Sequence, residues 1–91
     1  MAKKRDRVEI IGDMLQAILN RRGRIKPTHL MYKANLSHEQ LNSYLEELVA
    51  KEFVEKVATP EHYNYVTITD KGCKFVQKWQ EMKQFEKSFG L

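Results

Sequence analysis

The stretch Leu30-Met31-Tyr32-Lys33-Ala34-Asn35-Leu36-Ser37-His38-Glu39-Gln40-Leu41 decides the fold. Leu30, Met31 and Ala34 give a helix one inner face, and Pro27 suits its first position, where a missing N–H has no intrahelical partner to lose. Asn35 can close that helix in a left-handed conformation, Leu36 turns back toward the core, and Ser37 serves as N-cap of the next helix. Ser37 with Gln40 three positions on forms a capping box, each side chain satisfying the other's orphan backbone donor. The next helix therefore starts at His38, and a stripe of Leu41, Tyr44 or Leu45, Leu48 and Val49 carries it to about Lys51. A link of only Ala34 to Ser37 is too short to lay two helices side by side, so they must cross steeply.

That crossing is helix-turn-helix geometry, and the flanking sequence completes it. Upstream, Val8, Ile11, Met14, Leu15, Ile18 and Leu19 recur at helical spacing from Asp6 to Asn20. Arg21-Arg22-Gly23 stops this first helix, since glycine takes the left-handed conformation readily and arginines suit the negative end of the dipole. Arg24 to Lys26 then leaves room for a very short extended piece. Downstream of Glu52 the period changes. Phe53, Val54, Val57 and Ala58, then Tyr65 to Ile68, are β-branched and aromatic runs separated by the turn-forming Thr59 to Asn64, which reads as an antiparallel hairpin.

Thr69 caps a last helix, with Asp70 at its positive end. Cys73 and Val76 can finish the core as buried hydrophobes. Beyond them Phe75, Trp79, Met82 and Phe89 fall at spacings of four, three and seven, a heptad seam with Glu86 in one apolar position and Phe85 beside it. A helix of some twenty residues spans about 30 Å, so its far end must project from the domain. A second copy of the chain is expected to cover it, the two helices pairing around Phe75, Trp79, Met82 and Phe89, with antiparallel pairing preferred and parallel pairing left open. The fold class is α+β, mainly α: helix, short strand, helix, helix, hairpin wing and long C-terminal helix. Residues 1–69 form the winged unit with a basic N-terminal arm and 70–91 the dimerisation helix, one structural domain overall.

Composition agrees with one modest core: 91 residues, 42% apolar and 31% charged. The single Cys73 excludes an internal disulfide and fits a reducing, intracellular setting. The basic N-terminus runs directly into an amphipathic pattern, so neither a signal peptide nor a membrane anchor is expected. Net charge is +4, gathered at Lys3, Lys4, Arg5 and Arg7, at Arg21, Arg22, Arg24 and Lys26, and at Lys71, Lys74 and Lys78, a distribution that favours polyanionic partners. His29, His38 and His62 lie far apart without ligand-spaced partners, so no metal is expected. No nucleophile-and-base arrangement and no glycine-rich phosphate loop is present, which argues against an enzyme and against a cofactor. Tyr63, Tyr65, Phe75, Trp79, Phe85 and Phe89 could line a pocket for a small hydrophobe, but core and dimer packing accounts for them without any required ligand.

With these segments in view, Leu30 to Ser37 followed by Leu41, Tyr44-Leu45, Leu48 and Phe53-Val54, together with Tyr65-Val66-Thr67-Ile68-Thr69-Asp70-Lys71-Gly72, the chain resembles the winged helix-turn-helix family of small archaeal DNA-binding proteins and transcription regulators, in particular members that dimerise through a long C-terminal helix. The resemblance implies a cytoplasmic, nucleoid-associated homodimer on double-stranded DNA, acting as a transcription regulator or a small chromatin protein. It places the third helix in the major groove, with His38, Glu39, Gln40, Asn42 and Ser43 as base readers. Thr28, His29, Lys33, Ser37, Lys56, His62, Tyr63 and Asn64 are then the expected backbone contacts, and Phe75, Trp79, Met82, Phe85 and Phe89 the dimer interface. The reading face lacks Arg and Lys, and Glu39, Glu46 and Glu47 would repel phosphates if they pointed at them. That departure leaves nonspecific binding open, and equally a protein-interaction module that does not bind DNA.

Overall fold

The computed structural model describes residues 5–61 and 64–91. Its elements are α1 (Arg7–Asn20), β1 (Arg24–Ile25), α2 (Pro27–Lys33), α3 (His38–Ala50), β2 (Val54–Ala58), β3 (Asn64–Ile68) and α4 (Asp70–Ser88). Side chains start three of the helices. Asp6 accepts from the Glu9 N–H at 2.8 Å for α1, and Thr69 accepts from the Gly72 N–H at 3.0 Å for α4. For α3 the capping box is complete: Ser37 Oγ accepts from the Gln40 N–H at 3.2 Å and Gln40 Oε1 from the Ser37 N–H at 3.0 Å.

The four helices of the described residues end in one way. The residue after the C-cap takes positive φ: Arg22 at 62°, Asn35 at 56°, Glu52 at 63° and Gly90 at 75°. The following N–H then reaches back to the third-last helical carbonyl, as in Gly23 to Ile18 (2.9 Å), Leu36 to Met31 (2.9 Å), Phe53 to Leu48 (2.9 Å) and Leu91 to Glu86 (2.8 Å). These bonds satisfy carbonyls that a helix end otherwise leaves open. At the first of these ends Arg22 holds the left-handed position ahead of Gly23, which itself has φ 83°.

The sheet has the order β1-β3-β2, antiparallel throughout, with Arg24 opposite Thr67 and Val54 opposite Ile68. Ile25, Val54 and Val66 point from it into a core completed by Met14, Leu15, Ile18, Leu30 and Leu48, all essentially inaccessible to water. Two expected core residues lie elsewhere. Val8, in the first turn of α1 ahead of the buried Ile10 and Ile11, is 46% exposed, and Val49, beside the buried Leu48, is 38% exposed. Ile10 is buried in addition, Tyr44 is only half-buried while Leu45 is buried, and Cys73 is half-buried.

The C-terminal helix divides into two halves. Gly72, Val76 and Trp79 are buried against the domain, and Phe75 stacks at a tilt on Phe53 with ring centres 5.2 Å apart. Trp79, expected in the dimer seam, is only 7% exposed within its own chain. Its ring fills the space beside Gly12 of α1, so closely that a Cβ on Gly12 would overlap the indole. Phe75 and Trp79 are therefore contacts of the monomer core, and little of the indole is left for a partner. Every residue from Gln80 to Leu91 is exposed. Among the described residues no helix is long and apolar enough to cross a membrane.

Gly12→Ala should destabilise the fold by about 1–3 kcal/mol, the usual cost of forcing extra volume into a packed contact. The urea midpoint measures this, and an unchanged midpoint would show that the indole can move aside.

Candidate nucleic-acid interface

The helix-turn-helix leaves one face of α3 in solvent. His38, Glu39, Gln40, Asn42, Ser43 and Glu46 are all exposed, as is Ser37 ahead of them, while Leu41, Leu45 and Leu48 anchor the opposite face. Asn42 also borders a pocket with Leu45, Pro27 and the hairpin residues Lys56, Val57, Ala58, Asn64, Tyr65 and Val66. The register explains this meeting. Lys56 lies opposite Val66, whose side chain is buried on the α3 side of the sheet, and cross-strand partners share a face. Asn42, Lys56 and Asn64, far apart in sequence, thus come together between the helix and the wing. His62 and Tyr63 lie outside the described residues.

Of α2 only Pro27 lines that pocket, and the expected contacts Thr28, His29 and Lys33 lie outside its lining. Thr28 and His29 are exposed in the first turn of α2, and His29 Nδ1 lies 3.3 Å from an Arg21 guanidinium nitrogen. Lys33 lines a depression with Asp13, Gln16, Ala17, Asn20 and Arg21, on the α1 side of the domain.

Two members of the basic N-terminal arm have structural partners. Arg5 forms an ion pair with Asp13 at 3.1 Å and donates to the carbonyls of Ala34 (2.7 Å) and Asn35 (3.1 Å), clamping the turn between α2 and α3. Arg7 pairs with Glu47 of α3, and Lys51 lies 3.2 Å from the same carboxylate. Glu47 is thereby neutralised locally, whereas Glu39 and Glu46 form no ion pair among the described residues. Sequence reasoning missed the Arg5 clamp, since nothing in local spacing links residue 5 to residues 34 and 35. Lys71 is similarly engaged, donating to the Lys51 carbonyl at 2.8 Å.

Gln40 has a divided role. Pairing with adenine uses both its amide oxygen and its amide nitrogen, yet the oxygen already accepts from the Ser37 N–H. Asn42 has no hydrogen bond among the described residues and keeps both groups available. Among those residues, no cluster of His, Cys, Asp or Glu could hold a metal ion.

Among the described residues, four helices around a three-stranded antiparallel sheet, with a hairpin beside the exposed second helix of a helix-turn-helix, define a winged-helix protein. The winged helix-turn-helix family model matches residues 4–87, and the chain belongs to that family. It is 33% identical over 79 residues to an uncharacterized protein of Methanocaldococcus jannaschii, a match that covers 87% of this chain and 34% of that protein. The chain thus spans about a third of the length of this relative. Among solved structures it is similar to Sso10a-2, a DNA-binding protein from Sulfolobus solfataricus, with a TM-score of 0.80 and 20% identity over 93% of this chain and 85% of the other. It is also similar to F93 from STIV, a winged-helix DNA-binding protein, with a TM-score of 0.74 and 17% identity over 91% and 92% of the two chains.

Gln40→Ala should lower stability by about 0.5–1 kcal/mol through loss of one arm of the capping box. Asn42→Ala should change it by less than about 0.5 kcal/mol, as at an exposed position without partners. Denaturant titration of the two variants separates these roles, and equal effects would remove the distinction.

Proposed function

We propose that this protein binds double-stranded DNA as a homodimer, with α3 in the major groove and the wing on the flanking backbone, as a transcription regulator or small chromatin protein of the nucleoid. The observation that carries this reading is the meeting of Asn42 on exposed α3 with Lys56 and Asn64 of the wing around one groove. A helix in the major groove and a basic strand beside it match the two parts of a duplex, base edges and phosphates. The DNA-binding descriptions of Sso10a-2 and F93 support the same reading. His38, Glu39, Asn42 and Ser43 are the proposed base contacts, with Gln40 limited by its capping bond. Ser37, Thr28, His29, Lys33, Lys56 and Asn64 are the proposed backbone contacts.

The dimer rests on the free half of α4. Met82, Phe85, Phe89 and Leu91 are 47%, 61%, 69% and 85% exposed. Met82, Phe85 and Phe89 continue along the helix the apolar stripe that Phe75 and Trp79 begin against the core. The same stripe on a second copy is the self-complementary surface that would cover it. Exposed Glu39 and Glu46 favour a second reading, in which α3 contacts a protein rather than DNA.

Affinity for a random-sequence duplex should fall linearly with salt on logarithmic axes, with a slope of about 0.9 per phosphate contact. Absence of binding even at low salt would turn the assignment to the protein-interaction reading. For the dimer, Phe85→Ala with Phe89→Ala should weaken association by about 2 kcal/mol or more if these rings are central to the contact, without touching the Trp79 core. Sedimentation equilibrium compares the two proteins, and a wild-type chain that is monomeric at micromolar concentration would sink the dimer.

A further inference from the structure

The arginines that follow α1 connect to the proposed duplex site along two routes. On one side Arg21 lies 3.3 Å from Nδ1 of His29 and lines one depression with Lys33, and His29 and Lys33 are both proposed backbone contacts. The carboxylate of that depression, Asp13, is held by Arg5. On the other side Arg21, Arg22 and Arg24 line a concave surface with Asn20 and Tyr65, and no carboxylate lines it. Tyr65 also lines the groove between α3 and the wing. All three arginines are exposed, and among the described residues none of them joins an ion pair.

Arg24 is the most constrained of the three. It is hydrogen-bonded into the sheet as β1, opposite Thr67, while its neighbour Ile25 lies opposite Val66 in the core. Side chains alternate along a strand, so Arg24, Tyr65 and Thr67 share the outer face of the sheet. There the Arg24 guanidinium lies over the Tyr65 ring, 4.1 Å from its centre. A ring beneath a guanidinium covers its flat face and leaves the N–H groups at its edge for an external acceptor, a planar fork that matches phosphate. Glu55, across Thr67 on β2, is the carboxylate of that outer face, two strand spacings or about 10 Å from β1.

We propose that Arg21, Arg22 and Arg24 lengthen the contact with the same duplex, binding phosphates beyond those reached by α3 and the wing, with Tyr65 as the positioning residue that orients the Arg24 fork. The inference rests on the DNA-binding reading above. The occupant is a phosphodiester backbone, because the arginine surface continues on both sides into residues that reading assigns to one. A polyanion engages such a row of cations together and releases counterions from each contact.

The test is binding of the full chain to a short random-sequence duplex across a salt series, with the slope counted per bound protomer. R21Q/R22Q/R24Q should lose about 2.7 from the wild-type slope, the share of three phosphate contacts, so that its deficit in affinity grows about 40-fold from roughly 0.2 M down to roughly 0.05 M salt. K74Q/K78Q/K87Q removes the same charge from exposed positions of α4 and should keep the slope within about 0.5. An arginine variant with the wild-type slope overturns the proposal. Equal losses in the two variants overturn it too, since they would report net charge and not contact. A wild type that does not bind even at low salt overturns the DNA-binding reading beneath it.

R24K and Y65L preserve charge and should keep the slope, yet bind about two- to fivefold more weakly, the worth of an exposed cation–π contact. Y65F, which keeps the ring, should bind as wild type does. A Y65L change that costs as much in an R24Q background shows that Tyr65 does not act through Arg24, and its positioning role then fails. Circular dichroism checks the fold of each variant. Should the triple variant fail to fold, amide shifts of wild type serve instead: Arg21 to Arg24 must shift along one titration curve with α3, and arginines that stay unshifted overturn the proposal.

Discussion

The turn between α2 and α3 is closed from two sides, and the placement of α3 depends on it. From within, Asn35 takes the left-handed conformation and the Leu36 N–H returns to the Met31 carbonyl. From outside, Arg5 donates to the carbonyls of Ala34 and Asn35 while its other nitrogen holds Asp13 of α1. The capping box at Ser37 then restarts the chain as a helix at once. Three devices within a few residues leave α3 little freedom of direction. The helix is fixed with Leu41, Leu45 and Leu48 inward and its polar face outward.

The charges of the chain have separate tasks. Arg5 and Arg7 look like part of a solvated basic arm, yet each has a carboxylate partner, Asp13 and Glu47, on a different helix. Partly exposed ion pairs of this kind contribute modestly to stability. Their larger consequence is electrostatic, because Glu47 would otherwise add a third unpaired carboxylate to α3. Among the described residues Arg21, Arg22 and Arg24 have no carboxylate partner, and Arg21 contacts His29 instead.

The long helix α4 is divided between core and solvent. Its first half belongs to the core, where Gly12 admits the Trp79 ring and Gly72 lies hard against the Phe53 carbonyl and Ile68. Both glycines are needed for closeness, since a side chain at either would collide with the neighbour. The buried Trp79 Nε1–H has no hydrogen-bond partner among the described residues, a cost of about 1–3 kcal/mol for a buried donor. Tight packing of the ring outweighs it. The second half repeats the apolar stripe, and none of the described residues buries it.

Much of this architecture was legible from local spacing. Pro27, the Ser37-Gln40 pair and Thr69 mark helix starts, the change of period after Glu52 marks the hairpin, and each signal acts between residues at most a few positions apart. Such signals report backbone hydrogen bonding and the alternation of faces, which short segments determine for themselves. The functions of Arg5, Gly12 and Trp79 were not legible, because each depends on a partner 29 or more positions away. The apolar spacing of Phe75, Trp79, Met82 and Phe89 announced a buried stripe but not where the core stops covering it. That boundary, like the meeting of Asn42 with Lys56 and the assignment of Arg24 to the outer sheet face, was decided by tertiary packing, since only close approach of distant segments determines which surface excludes water.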